Sequence, residues 1–124
     1  MTLRVATARE LSPHDLAREA ARLALEKKAG DLVILDLTGR SEMCDYFVIA
    51  SGDSEPQVAA IADRVEEGLA AAGEKPWHVE GRNGKRWMLL DYVDIVVHVF
   101  HKETREVYLL ERLWGDAPRE VVRD

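Results

Sequence analysis

The segment from Tyr46 to Gly73 constrains the fold of this chain more than any other part of its sequence. A short apolar run, Tyr46 to Ala50, is followed by Ser-Glu-Pro-Gln at residues 54–57, where serine can cap a helix and proline suits its first turn. Apolar residues then recur every three or four positions, which predicts a helix of about 17 residues. A strand, a turn, a helix and further strands predict a crossover unit and an α/β domain.

The flanking segments supply the remaining elements. A serine cap at Ser12 predicts a helix over about 13–29, and Asn83-Gly84 favours a hairpin because both residues tolerate positive φ. Further strands are predicted at 32–37, 77–80, 86–90 and 93–100, and a last helix around 107–114. We therefore predict an α/β fold: a single compact domain over 12–117, with a mixed, about five-stranded sheet flanked by helices. Residues 1–11 are expected to form a flexible arm and residues 118–124 a charged tail.

The charge of the chain argues against one class of function. The chain has 17 Lys and Arg residues and 23 Asp and Glu residues, which gives a net charge of −6. Residues 1–30 carry six basic and four acidic side chains, and residues 31–124 carry eleven and nineteen. A protein that grips phosphate backbones is usually basic, so nucleic acid is not expected as the main partner. The acidic body favours a basic partner, above all another protein.

Cysteine usage and hydropathy predict a cytoplasmic protein. The single cysteine, Cys44, cannot form an internal disulfide and is interpreted as a small core residue in a reducing compartment. The N-terminus has no signal-peptide pattern, and no apolar run approaches the ~18–20 residues of a membrane span.

Candidate metal ligands and nucleophiles are sparse. Cys44 lacks a nucleophile signature. His98 and His101 are three positions apart, so on a strand they point to opposite faces, and His78 belongs to another strand. These residues do not predict a zinc site, and we expect no metal and no cofactor.

A nucleotide site is the alternative hypothesis. Gly52 and Ser54 lie between a strand end and a helix start, where backbone amides can bind phosphate. A nucleotidyltransferase also needs carboxylates that hold magnesium. The candidates, Glu80, Asp91 and Asp94, do not assemble into a metal triad in the predicted layout. We therefore predict a protein that is not an enzyme, with a small nucleotidyltransferase-like enzyme or nucleotide-binding domain as the alternative.

One group of side chains predicts a docking surface for a basic protein. Aromatic and leucine anchors bordered by acids are typical of protein interfaces. The candidate residues are Trp77, Trp87, Leu89, Asp91, Tyr92 and Asp94. The alternative is that one of the helices covers this face of the sheet.

The predicted hairpin tip offers a second, smaller contact. Arg82, Lys85 and Arg86 lie near Trp77 and Trp87, and basic residues beside aromatics can bind RNA. This pattern indicates an auxiliary rRNA contact or an RNA-binding module, with a solvated turn as the alternative.

Several short motifs, in order from about residue 12 to residue 117, carry a family resemblance. They are Asp45-Tyr46-Phe47-Val48-Ile49, Ser51-Gly52 with Ser54, Gln57-Val58, Ile61-Ala62, Glu80-Gly81, Trp87, Leu90-Asp91-Tyr92-Val93-Asp94, Val97-His98-Val99-Phe100, Tyr108 and Leu113-Trp114. In these motifs the chain resembles the ribosomal silencing factor family, also called Iojap-like.

The resemblance implies a nucleotidyltransferase-like topology without the catalytic carboxylates. It also implies binding to the large ribosomal subunit through its ribosomal protein fourteen. The bound protein would sterically block joining with the small subunit and repress translation under nutrient limitation. The resemblance leaves a homodimer open, and it carries the docking role to the six candidate residues named above.

One position departs from the family pattern. Val93 occupies a place between Tyr92 and Asp94 where glycine is expected. If the bend there requires positive φ, valine would be strained by about 1–3 kcal/mol. The alternative is a reshaped turn.

Overall fold

The computed structural model describes residues 11–108, 112 and 114–123. The helices in this part of the chain are α1 (Pro13–Leu25), α2 (Glu55–Ala71) and α3 (Lys102–Tyr108). The strands are β1 (Gly30–Asp36), β2 (Tyr46–Gly52), β3 (His78–Glu80), β4 (Trp87–Asp91), β5 (Ile95–His101) and β6 (Arg119–Val121). The predicted arm, except residue 11, and much of the predicted last helix lie outside the described residues.

Both long helices begin where the sequence predicts. The Ser12 hydroxyl accepts a hydrogen bond from the Asp15 N–H at 3.0 Å, and Ser54 caps α2 in the same way. The predicted end of the first helix near residue 29 is wrong, because α1 stops at Leu25. Lys28, rather than the glycine at position 30, takes the left-handed conformation, with φ 62°. That conformation ends the helix because it turns the chain away from the helix axis.

The sheet is mixed, as predicted. Its order is β3-β4-β5-β2-β1-β6. The central pair, β2 and β5, is parallel, and every other neighbouring pair is antiparallel. The connection between the parallel strands β2 and β5 therefore runs through α2 and then through β3 and β4, which form one edge of the sheet.

The sixth strand lies in the segment predicted to be a charged tail. β6 pairs with β1, with Val121 opposite Val33. Glu120 of β6 also forms ion pairs with His14 at 3.0 Å and Arg18 at 3.3 Å on α1. The segment joins the sheet because β1 offers it a free edge and α1 offers it opposite charge, so the count is six strands rather than about five.

The two faces of the sheet are covered differently. α1 and α2 pack on one face and form the main core with residues such as Val48 and Val97, both fully buried. The other face carries a smaller cluster around Ile49 and Phe100. Several hydrophobic residues at its border are only partly buried, namely Phe47, Trp87, Val96 and Trp114. This second face is therefore only partly covered.

The β3–β4 hairpin differs from the prediction. Positive φ occurs at Gly81 (89°) and Lys85 (56°), not at Asn83 or Gly84. A Cβ atom at Gly81 would overlap the carbonyl oxygen of Trp87. Glycine is therefore required at position 81, where the backbone of Trp87 lies close, and the loop is longer than a two-residue turn.

Candidate docking surface

Alternation along β4 divides its side chains between the two faces. Met88 and Leu90 are buried against the helices, whereas Trp87, Leu89 and Asp91 are half-buried on the opposite face. Successive residues of a strand point to opposite sides, so these three share one face. The structure thus brings together three of the six predicted docking residues.

Two more predicted docking residues lie at one end of this sheet. Trp77 is 76% exposed, and its backbone N–H donates to the Asp91 carbonyl at 2.7 Å. Asp94 is exposed in the turn between β4 and β5. Both therefore lie at the end of the sheet where β4 ends, next to Asp91.

Tyr92 departs from the prediction. It is 3% exposed and packs in the core on the helix side of the sheet. Burial, and then the charges of Glu66 and Glu74, raise the pKa of its phenol. Within the described part of the chain its hydroxyl has no hydrogen-bond partner. Tyr92 is therefore a core residue, because alternation continued one residue past Asp91 puts it on the face of Met88 and Leu90, which the helices cover.

The turn after Tyr92 holds valine in a left-handed conformation. Val93 has φ 73°, and the Asp94 N–H donates to the Tyr92 carbonyl at 2.9 Å. This is the rare γ-turn with positive φ. An Asp91 carboxylate oxygen accepts from the Val93 N–H at 2.8 Å, and the Asp45 N–H donates to the Asp94 carbonyl at 2.8 Å. The turn is therefore not reshaped, and the strain expected for valine is present.

Sequence reasoning missed two members of this surface. Met43 is 87% exposed and Val93 is 57% exposed. The hydrogen bond from Asp45 to Asp94 ties the loop that carries Met43 to the β4–β5 turn. No periodic pattern marks an isolated methionine in a polar loop, so only the fold places it here. We call Met43, Trp77, Trp87, Leu89, Asp91, Val93 and Asp94 the docking surface.

Trp87 is held by its neighbours on β5. Its indole Nε1 donates to Nδ1 of His98 at 3.0 Å, and its ring stacks on Phe100 with centroids 5.0 Å apart. His98 is 4% exposed, and burial lowers the pKa of its imidazole to about 3. His98 is therefore neutral and can accept the hydrogen bond from Trp87.

The predicted rRNA contact is largely engaged in ion pairs. Arg82 pairs with Glu66 on α2 at 2.5 Å, and Arg86 pairs with Glu103 at 3.5 Å. Arg86 also lies 3.6 Å from Glu55, and Lys85 is exposed in the loop. These carboxylates reduce the positive potential that would attract RNA, which favours the solvated-turn alternative.

The helix N-terminus proposed for phosphate binding is occupied by its own side chains. The Ser54 hydroxyl accepts from Gln57 N–H, and the Gln57 side-chain oxygen accepts from Asp53 N–H at 2.6 Å. The carboxylates Asp53 and Glu55 add negative charge at the same place. The amides of Asp53 and Gln57 are therefore already paired, and the nearby cations are engaged with carboxylates, since Lys102 lies 3.8 Å from Asp53 and Arg86 lies 3.6 Å from Glu55.

The candidate metal carboxylates lie far from that loop. Asp91 is opposite Val96 near one end of β5, whereas Gly52 is opposite His101 at the other end. Five residues of strand separate these positions by about 17 Å. Within the described ranges, no three His, Cys, Asp or Glu side chains come together to hold a metal ion. In the same part of the chain, no helix has the length and apolar character needed to cross a membrane.

A mixed α/β sheet that carries half-exposed aromatics bordered by acids is typical of a protein-interaction domain. The family model described as "Ribosomal silencing factor during starvation" matches residues 10–124. The chain belongs to this family, which confirms the resemblance noted in its sequence.

Individual relatives agree with this membership. A ribosomal silencing factor of Bacillus subtilis is 42% identical over 108 residues, covering 87% of this chain and 92% of the relative. The X-ray structure of a protein from Chromobacterium violaceum superimposes with a TM-score of 0.83 at 29% identity, covering 92% of this chain and 95% of the other. A mouse relative named "Mitochondrial assembly of ribosomal large subunit protein 1" is 30% identical over 74% of this chain and 42% of its own length.

Proposed function

We propose that this protein binds the large ribosomal subunit through ribosomal protein fourteen and keeps the small subunit from joining it. The observation that carries the proposal is the docking surface, in which apolar anchors adjoin two carboxylates on a chain of the ribosomal silencing factor family. The name of the mouse relative supports the large subunit as the target. The role would be translational repression in the cytoplasm under nutrient limitation.

The proposed mechanism is steric and needs no chemical step. Met43, Trp77 and Val93 expose apolar surface at one end of the sheet, and burying such surface against a partner supplies the association energy. Asp91 and Asp94 would face Lys or Arg of a basic ribosomal protein. A 14.0 kDa body fixed at the subunit interface would then occupy space that the small subunit requires.

Asp91 has a structural role besides its charge. Its carboxylate accepts the hydrogen bond from Val93 N–H that helps to hold the turn. Asp91→Lys would therefore disturb the turn as well as reverse the charge, whereas Asp94→Lys changes an exposed side chain. Asp94→Lys is the cleaner test of electrostatic contact, and Asp91→Asn keeps the oxygen acceptor while it removes the charge.

The central experiment is sedimentation of the protein with purified ribosomal subunits, followed by a subunit-joining assay. We expect the protein to travel with the large subunit and to lower the yield of joined ribosomes. If it does neither, the proposed function is wrong. Saturable binding of a nucleoside triphosphate with magnesium would instead support the nucleotide-binding alternative.

Variants locate the contact. Trp77→Ala should weaken binding about tenfold or more, since an exposed tryptophan is a typical interface anchor. Asp94→Lys should slow association and weaken binding most at low salt. Matched controls lie away from the docking surface: Val121→Ala removes an exposed apolar side chain on β6, and Asp53→Lys reverses an exposed carboxylate at the other end of β2. Equal effects of test and control variants would contradict this placement of the contact.

A further inference from the structure

We infer that His98 is a positioning residue, whose Nδ1 holds the Trp87 indole in the one orientation that the partner recognises. This inference rests on the proposed function, because it concerns the same docking surface. The sequence marks His98 only as a candidate metal ligand and does not predict a contact with Trp87. The contact that gives it a role is its hydrogen bond to Trp87, at 3.0 Å.

The register of the strands explains how the two side chains meet. Trp87 lies opposite Phe100 and Leu89 lies opposite His98 in the β4–β5 ladder. The indole stacks on its direct partner, Phe100, and reaches diagonally to the imidazole two residues away. Diagonal neighbours of an antiparallel pair are within reach of large aromatic side chains. The stack sets the plane of the indole, and the hydrogen bond sets its rotation within that plane.

The imidazole itself is firmly held. The Phe47 ring meets it edge-on with centroids 4.5 Å apart, and the ring of Phe100 lies nearly parallel to it, at 11°. Its near-complete burial lowers the pKa of the imidazole to about 3, so the ring is uncharged at neutral pH and Nδ1 is an acceptor. With Nδ1 accepting, the proton of the neutral ring lies on Nε2. That buried nitrogen has no partner among the described residues, so the ring gains its hydrogen bond only through Trp87.

This arrangement determines what Trp87 offers to a partner. The indole has a single donor, and His98 occupies it. The partner is therefore met by an aromatic surface whose hydrogen-bonding group is already satisfied. An aliphatic side chain or the flat guanidinium of an arginine suits such a surface, whereas an acceptor that sought the indole N–H would have to displace His98. A ring fixed before binding also loses less rotamer freedom on association.

The test compares variants that keep or remove the acceptor. His98→Phe keeps an aromatic ring but removes the acceptor, and His98→Asn keeps an oxygen near the position of Nδ1. By NMR, the Trp87 indole N–H should resonate downfield in the unsubstituted protein and in His98→Asn, and upfield in His98→Phe, with its signal assigned from Trp87→Phe. Affinity for the large subunit should fall about three- to tenfold in His98→Phe and recover in His98→Asn.

Two controls separate positioning from a general loss of packing. Val97→Ala shortens a fully buried side chain on the other face of β5, so it should destabilise the fold but leave both the indole signal and the affinity unchanged. In a double-mutant cycle, His98→Phe should have little further effect on affinity once Trp87→Phe has removed the donor. If His98→Phe does not fold, His98→Leu removes the acceptor in its place, and its cycle with Trp87→Phe decides the same question.

An indole signal that does not move in His98→Phe, or an affinity that stays unchanged when the signal moves, would overturn the inference. So would equal losses of affinity in Val97→Ala and His98→Phe. If the unsubstituted protein does not bind the large subunit, the proposed function and the docking half of the inference both fail. The indole signal of the free protein still decides in that case whether His98 holds Trp87.

Discussion

Replacing Val93 by glycine should stabilise the protein by about 1 kcal/mol. Val93 has φ 73° at the centre of the γ-turn between β4 and β5, a conformation that a β-branched residue rarely adopts. It is retained because hydrogen bonds to Asp91, Asp45 and Ile95 fix the residues on both sides of it. The substitution changes no hydrogen bond, since all of these use backbone groups of the turn or the Asp91 carboxylate.

The magnitude follows from three contributions. Strain at such a position costs about 1–3 kcal/mol, and the β branch places valine in the upper half of that range. Introducing glycine lowers the free energy of unfolding by about 0.4–1 kcal/mol, because it increases the conformational entropy of the unfolded chain. The side chain is 57% exposed, so its removal forfeits only about 0.5–1 kcal/mol of apolar burial. The net gain corresponds to an increase of about 4 °C in Tm.

Urea unfolding followed by circular dichroism measures this gain as a higher midpoint at unchanged slope. Val93→Ala is the matched control, because alanine loses the same apolar contact but keeps a Cβ atom at positive φ. We expect the glycine variant to be the most stable of the three proteins. If glycine is no more stable than alanine, the argument from backbone strain is refuted.

Three further predictions concern buried groups. Tyr92→Phe should leave the free energy of unfolding unchanged or raise it by about 1 kcal/mol, since it removes a buried hydroxyl that has no partner among the described residues. A large decrease of this free energy, measured by urea unfolding, would contradict the prediction. Below pH 6.5, His98 is protonated in the unfolded state but not in the folded state, where its pKa is about 3. The free energy of unfolding should therefore fall by about 1.4 kcal/mol per pH unit towards pH 3. Between pH 7 and pH 5, the free energy of unfolding measured in urea should fall less in His98→Asn than in the unsubstituted protein. Equal falls in the two proteins would refute the assignment of this pH dependence to His98. Burial, followed by the charges of Asp91 and Asp45, raises the pKa of Cys44 to about 11. Alkylation of this thiol at pH 8 should therefore be about a hundredfold slower in the folded than in the unfolded protein. Comparable rates would show that the folded protein has an accessible thiolate.

The local elements could be predicted from the sequence because their signals are local. Ser12 and Ser54 cap their helices as predicted, and the apolar runs form β1, β2, β4 and β5. The errors occur where local signals compete. Asn83-Gly84 has the composition of a tight turn, yet the left-handed residues are Gly81 and Lys85, because the close approach to Trp87 imposes glycine at position 81.

Alternation along β4 correctly places Trp87, Leu89 and Asp91 on one face, since strand periodicity is a property of the backbone. The same alternation puts Tyr92 on the helix-covered face with Met88 and Leu90, but by itself it could not show how deeply that side chain is buried. Nor could it find Met43, whose position depends on a hydrogen bond between Asp45 and Asp94.

The sequence by itself determined the α/β class, the two capped helices, the acidic charge and the family. These depend on residue type and on spacing within about twenty positions. Only the tertiary structure decided that residues 119–121 complete the sheet, that Tyr92 is buried, and that His98 holds Trp87. Each of these depends on contacts between distant parts of the chain, whose energies exist only once the strands have paired and the helices have covered one face of the sheet.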